Sequence, residues 1–157
     1  MGSGKLISVF VIVAGAFAGA SIPGKVMVTT SPSLSHRVFY KKALGPKDIP
    51  RKGDYVIAHA SSRYIDGGKP FDMTKRVACV PGEMLRVQGR SYFCGGKYLG
   101  EAKERSLKSV PLENFVFNGK IAPGRLFVLG DSKDSFDSRY LGFVRVDDVK
   151  AIVYPIF

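Results

Sequence analysis

The chain begins with an apolar run that few structures can accommodate. Residues 6–22 contain no charged side chain and lie between Lys5 and Pro23. As an α-helix the run is about 26 Å long, close to the ~30 Å hydrocarbon core of a bilayer. It has almost no polar face, which a buried helix of a soluble domain normally shows. The run therefore predicts an uncleaved signal anchor over residues 1–28, with a cleaved secretory signal as the alternative.

The charge of the chain narrows the choice of partners. Of 157 residues, 24 are Lys or Arg and 13 are Asp or Glu, which gives a net charge of +11. Such an excess predicts an acidic partner, either nucleic acid or anionic lipid. The basic residues are spread out and no RNA-reading aromatic motif is present, so the apolar run favours the lipid bilayer over nucleic acid. Basic residues after the run oppose translocation of the following domain, which leaves its orientation open.

The rest of the sequence, residues 29–157, alternates short apolar runs with Gly and Pro and shows little helical periodicity. This pattern predicts a mainly β domain. The predicted strands are residues 55–58, 76–80, 84–87, 90–93, 126–129, 143–146 and 151–154. A weak helix is predicted over residues 101–109, where Pro111 limits it.

The chain has two cysteines, Cys79 and Cys94, on strands expected to be neighbours in one meander. A disulfide between them fits an oxidising compartment, and two buried free thiols are the alternative. His36 and His59 are scattered far from the cysteines and from each other. Because this is not the spacing of a zinc site, no structural metal and no cofactor are predicted.

A lysine inside a predicted strand is the first candidate for chemistry. Strand alternation predicts that Lys75, Val77 and Cys79 share one face. A lysine among apolar neighbours is desolvated, which lowers the pKa of its ammonium from about 10.4. The resulting neutral amine can act as a general base, whereas a lysine that reaches past the sheet edge to water is the structural alternative.

Two serines follow the apolar run in the segment Ser31-Pro32-Ser33. A serine hydroxyl becomes a good nucleophile when a base removes its proton, and a neutral lysine can do so. Attack on a carbonyl creates an oxyanion that needs two donors, which the backbone N–H of Ser33 and the hydroxyl of Ser31 can supply. By itself the segment is also typical of an ordinary turn.

A polar segment near the end, residues 130–140, is dense in aspartate and serine. Its spacing only partly matches a calcium loop, because Lys133 occupies a ligand position and no Glu completes the pattern. An ion pair between Asp137 and Arg139 that shapes the pocket of the base fits this segment better.

Together these segments resemble the membrane-bound Ser/Lys peptidases, which comprise the type I signal peptidases and the TraF-type peptidases that mature conjugative pilins. Residues 75–83 resemble the lysine box of the family, and residues 130–142 resemble its Gly-Asp box with one residue fewer. Residues 51–56 are similar to the Gly-Asp strand that precedes the lysine box. The short stretch between the two boxes, and a serine segment without the Met and Pro of signal peptidases, are closer to the TraF-type branch.

The resemblance implies a signal-peptidase-like β-barrel or meander with one N-terminal transmembrane helix, held in a bacterial inner membrane with its catalytic domain on the periplasmic face. It implies that Ser33 is the nucleophile and Lys75 the general base, with Ser31 as oxyanion donor and runner-up nucleophile. The implied partner is a membrane-inserted precursor, a conjugative pilin that is cleaved and then cyclised in some members. The alternative is a general type I signal peptidase that acts on preproteins.

The polar segment supports the catalytic pair in this prediction. Ser135 or Ser138 orients the lysine amine by hydrogen bonding, and Asp137 and Arg139 brace the loop. An alternative of another class is a membrane-anchored basic protein that binds or scaffolds within a conjugation or secretion system.

Overall fold

A computed structural model describes residues 25–45 and 48–156. The predicted anchor helix, residues 6–22, lies outside these ranges. None of the helices in these ranges has the length and apolar character that a membrane span needs.

The described residues form antiparallel strands and little helix. The strands are β1 (Val26–Val28), β2 (Val38–Ala43), β3 (Tyr55–Ala60), β4 (Phe71–Cys79), β5 (Met84–Gln88), β6 (Ser91–Cys94), β7 (Lys97–Glu101), β8 (Gly119–Lys120), β9 (Arg125–Leu129), β10 (Val144–Arg145) and β11 (Val149–Pro155). One short helix, α1, spans Ser138–Leu141, and 3₁₀ turns span Asp66–Gly68 and Val146–Asp148. The mainly β class predicted from the sequence is confirmed.

The strands build two sheets. The larger has the order β1-β2-β11-β3-β4-β9-β10 and the smaller the order β7-β6-β5-β8. Strand β4 lies inside the larger sheet, where Lys75 pairs with Val56 of β3. The pairing of β4 with β9 begins at Arg76, next to Lys75, and Lys75 is only 5% exposed. The alternative of an edge lysine is therefore wrong for Lys75.

A bulge interrupts β4 after the lysine. The register of β4 with β9 shifts between Val77 and Cys79. Val77 packs in one apolar cluster with Val56, whereas Ala78 and Cys79 both belong to another cluster. An extra residue in one strand breaks the period of two. The prediction that Cys79 shares a face with Lys75 and Val77 is therefore wrong.

A disulfide joins Cys79 at the end of β4 to Cys94 at the end of β6, with Cα atoms 5.9 Å apart. Because β4 and β6 belong to different sheets, the bond links the two sheets, and the expectation of neighbouring strands in one meander is wrong. Glu83 lies beside the bond, with Oε2 3.0 Å from Cys94 Sγ. Both sulfurs are used in the disulfide, so this cluster offers no thiolate to a metal.

The helix predicted over residues 101–109 is wrong. Glu101 ends β7 and pairs with Ser91 of β6, and the residues after it form no helix. The guanidinium of Arg90 explains why the backbone stays irregular here, because it donates to the carbonyl oxygens of Ala102, Lys103 and Leu112. These carbonyl oxygens therefore have a hydrogen-bond donor without forming a helical turn.

The start of the larger sheet also differs from the prediction. Residues 26–28 belong to the predicted anchor of residues 1–28, yet they form β1, which pairs antiparallel with β2. The sheet therefore begins before residue 29, and the segment that carries Ser31 and Ser33 connects its first two strands.

Candidate active site

Ser31, Ser33 and Lys75 line one cavity of about 560 Å³. The lysine comes from β4 and the serines from the connection between β1 and β2. Much of the remaining wall is apolar, formed by side chains that include Ile57, Met73 and others from distant parts of the chain. The structure thus brings together the three residues that the sequence proposes as nucleophile, base and oxyanion donor.

The environment of Lys75 favours a neutral amine. The residue is only 5% exposed. Burial is the largest influence and lowers its pKa, because an ammonium loses its hydration there. Asp137 and Asp131 oppose this shift and Arg139 adds to it, but the net direction is downward. Lys75 therefore has the property that a general base needs, a larger neutral fraction at working pH than an exposed lysine has.

The two serines contact each other. Ser31 Oγ and Ser33 Oγ are 2.5 Å apart, and the backbone N–H of Ser33 donates to Ser31 Oγ over 3.3 Å. Both groups proposed as oxyanion donors are thus engaged with one another. A substrate carbonyl must replace this contact before it can accept from both groups.

The backbone of Ser33 is held from two sides. Leu34, next in the chain, is buried in an apolar cluster with Phe39 and Ile57. On the other side, the N–H of Ser132 donates to the Ser33 carbonyl over 3.0 Å. Gly130 lies against this carbonyl, and a Cβ at that position would stand 2.7 Å from Ser33 O. Glycine is therefore the residue that lets the polar segment approach the serine segment this closely.

Asp131 fastens the serine segment to the larger sheet, a role that the sequence analysis missed. Its Oδ2 accepts from Ser35 N–H (3.1 Å), Ser35 Oγ (2.9 Å) and Tyr55 Oη (3.0 Å). Its Oδ1 accepts from Arg76 Nε over 3.1 Å. Burial by itself raises the pKa of Asp131, but these hydrogen bonds outweigh it and hold the pKa below its usual range. The signal for this role was its place in the Gly-Asp box.

Asp131→Asn is expected to lower kcat by about tenfold to a hundredfold, since a nucleophile displaced by ~1 Å loses most of its alignment. The amide keeps the size of the carboxylate but weakens the bonds to Ser35 and Arg76, so the Ser33 segment loosens. Initial rates on a cleavable precursor measure the effect. Asp147→Asn, in an exposed ion pair with Arg145, is the matched control. Equal rates for both variants would contradict the role of Asp131.

Asp137 and Arg139 form a buried ion pair within the polar segment, residues 130–140. Asp137 Oδ1 accepts from Arg139 Nε over 2.9 Å, and Oδ2 accepts from Arg139 Nη2 (2.8 Å) and Gly130 N–H (3.0 Å). Arg139 also donates to the carbonyl oxygens of Glu101 and Ser135. The pair therefore fixes both ends of the polar segment and connects it to β7.

The two serines proposed to orient the lysine amine differ in their surroundings. Ser138 Oγ accepts from the N–H of Val128, which ties α1 to β9. Ser135 Oγ is buried and has no hydrogen-bond partner within the described part of the chain. Of the two serines, Ser135 therefore has the hydroxyl that is free for this role, although no hydrogen bond joins it to Lys75 within the described residues.

Comparison with known proteins identifies the class. A family model described as "Signal peptidase, peptidase S26" matches residues 4–157. Signal peptidase I of Bacillus caldolyticus is 29% identical over 144 residues, which cover 85% of this chain and 75% of the relative. Signal peptidase I V of Bacillus subtilis (strain 168) is 29% identical over 92 residues, 52% of this chain and 55% of the relative. The crystal structure of a signal peptidase I from Enterococcus faecalis V583 is 25% identical, covers 68% of this chain and 98% of that one, and has a TM-score of 0.44.

The chain is a serine-type endopeptidase, a hydrolase. It belongs to the signal peptidase family, peptidase S26. The predicted enzyme class is thereby confirmed, and the non-enzymatic alternative is not supported. The closer likeness to TraF-type peptidases and the pilin substrate are not supported either. Both curated relatives are named as signal peptidases, so the alternative of a general type I signal peptidase fits better.

Proposed function

We propose that the chain is a general type I signal peptidase, which removes the signal segment from exported preproteins with Ser33 as nucleophile and Lys75 as base. The observation that carries this proposal is the shared cavity, in which a desolvated lysine and a serine segment meet. The names of the curated relatives support the substrate class.

The reaction proceeds through an ester on Ser33. The neutral amine of Lys75 takes the hydroxyl proton while Ser33 Oγ attacks the scissile carbonyl carbon. The N–H of Ser33 and the hydroxyl of Ser31 donate to the oxyanion once the substrate has displaced their mutual contact. The intermediate then breaks its C–N bond, and Lys75 returns the proton to the leaving amine. Lys75 next takes a proton from a water molecule whose oxygen attacks the ester carbonyl, and it returns that proton to Ser33 Oγ as the ester C–O bond breaks.

We propose further that residues 6–22 anchor the enzyme in a bacterial inner membrane with the cavity on the periplasmic side. The uncharged run supports the anchor, and the net charge of +11 suits a surface with anionic lipid. The periplasmic side rests on the family resemblance, since the basic residues after the run oppose it. The connection that carries Ser31 and Ser33 follows β1, which starts at Val26, so few residues separate the proposed anchor from the nucleophile. A cut close to the bilayer surface suits a membrane-inserted precursor.

The test is cleavage of purified precursors by the full chain in detergent, with products identified by mass spectrometry. A preprotein with small residues before its cleavage site is expected to lose its signal segment at one bond with the wild type and to stay intact with Ser33→Ala. Ser91→Ala, on β6 and outside the cavity, is the control and should cleave normally. Processing of pilin precursors alone, or undiminished cleavage by Ser33→Ala, would contradict the proposal.

The activity should rise with pH. Burial lowers the pKa of Lys75, and only the neutral amine is a base, so kcat is expected to increase tenfold per pH unit below that pKa and to level off above it. The unfolded chain, whose lysine has its ordinary pKa, binds more protons in the window between the two values, so unfolding free energy also rises with pH there. A pH profile of kcat that is flat, or that falls as pH increases from neutral, would contradict Lys75 as base.

A further inference from the structure

A second cavity of about 330 Å³ lies beside the catalytic one. Ile65 and Phe136 line both cavities, so they form a common wall. Phe136 stacks on Tyr140 with ring centroids 5.1 Å apart and meets the edge of Tyr64 at 6.0 Å. The wall is therefore aromatic and held in place by packing, and the proposed reaction gives the second cavity no role.

A loop with an exposed apolar tip forms the outer side of this cavity. Leu107 is 82% exposed and Val110 is 48% exposed, and both line the cavity. The loop is ordered by its own bonds: Ser106 N–H donates to the Val110 carbonyl, and Ser106 Oγ accepts from the N–H groups of Lys108 and Val110. Ser109 has a φ of 60°, a conformation that non-glycine residues seldom adopt. The apolar side chains of Leu107 and Val110 are thus exposed to solvent on an ordered loop.

We propose that this cavity is an apolar subsite of the enzyme, which takes a large aliphatic or aromatic side chain of the precursor near the scissile bond. The inference rests on the proposed function. Its basis is adjacency, because Ile65 and Phe136 line both cavities and a substrate chain in the catalytic cavity would therefore lie next to the subsite. An extended peptide advances about 3.3 Å per residue, so a side chain a few residues from the scissile bond can enter it.

The lining of the subsite is mainly apolar, which favours an apolar occupant. Leu107, Val110 and Leu112 supply that surface. Lys103 is paired with Asp134, whereas Arg105 donates to the neutral carbonyl of Ser109 and Lys108 also lines the cavity. The remaining charge is therefore positive, and a basic side chain would lose hydration against the apolar surface without gaining a free carboxylate.

The test is a positional scan with peptides from a preprotein that the wild type cleaves, carrying Leu or Ser at each position in turn on both sides of the scissile bond. At one position the wild type is expected to prefer Leu about tenfold in kcat/KM, mainly through KM. The double variant L107S/V110S should lose this preference there and keep its rate on the Ser peptide. V116S is the matched control, since Val116 is 63% exposed and lines neither cavity.

The outcomes separate the two proposals. If the wild type cleaves the peptides but L107S/V110S keeps every preference of the wild type, the subsite is contradicted and the signal peptidase function stands. An equal loss in V116S would also contradict it. If the wild type cleaves no exported precursor at all, the proposed function is wrong and the subsite with it.

Discussion

Replacing Lys75 with methionine is expected to lower kcat by about 10³-fold or more, the scale seen when the base of a serine peptidase is removed. Methionine fills a similar volume in an apolar wall and carries no charge. The variant should therefore fold as well as the wild type, or better, because a buried ammonium no longer has to be desolvated. Initial rates on a preprotein and a thermal melt, measured on the same sample, separate loss of chemistry from loss of fold.

Lys97→Met is the matched control for this experiment. Lys97 is an exposed lysine on β7 that does not line the catalytic cavity. The control variant replaces a lysine with methionine, as the Lys75 variant does, but it should keep the wild-type rate. Cleavage by Lys75→Met at a rate near that of the control would show that Lys75 is not the general base.

Asp137→Ala is expected to lower the free energy of unfolding by about 3–5 kcal/mol, as when one partner of a buried ion pair is removed. The variant leaves the Arg139 guanidinium, which is 5% exposed, without its carboxylate. It also leaves the N–H of Gly130 without its acceptor. Urea denaturation measures the loss, and a chain of this size should also melt roughly 10 °C lower.

Two comparison variants make the result interpretable. Asp147→Ala breaks an exposed pair with Arg145 and should leave the urea midpoint nearly unchanged. The double variant D137A/R139M removes both buried charges and should recover part of the stability lost by D137A alone. If D137A and D147A unfold at the same urea concentration, the buried pair does not hold the polar segment.

The predictable part of the fold was its central strands. Residues 55–58 and 126–129 are apolar runs bounded by turn residues, and both lie inside the larger sheet as parts of β3 and β9. Two of the strands that were missed lack this signal. Strand β2 carries Lys41 and Lys42, and β8 has two residues, so neither shows a recognisable apolar pattern. β2 pairs with β11 and β8 pairs with β5, both distant in sequence, and such tertiary contacts decide their conformation.

The candidate site was predictable where one residue carries the chemistry. Ser33 and Lys75 could be proposed because a nucleophile and a base have known residue types. The Gly-Asp box marked Asp131 for a role, but its partners Ser35 and Tyr55 could not be predicted, because they lie 96 and 76 positions away and only the fold brings them to it. Strand alternation placed Cys79 wrongly because a bulge leaves no mark in the sequence.

The central claim is that Ser33 carries the ester during cleavage. The most direct measurement is mass spectrometry of the enzyme after acid quenching during turnover of a preprotein, followed by peptide mapping of the modified segment. A fraction of the enzyme is expected to gain on Ser33 the mass of the amino-terminal cleavage fragment less one water, and Ser33→Ala is expected to gain none. An ester mapped to Ser31, or full cleavage by Ser33→Ala, would contradict it.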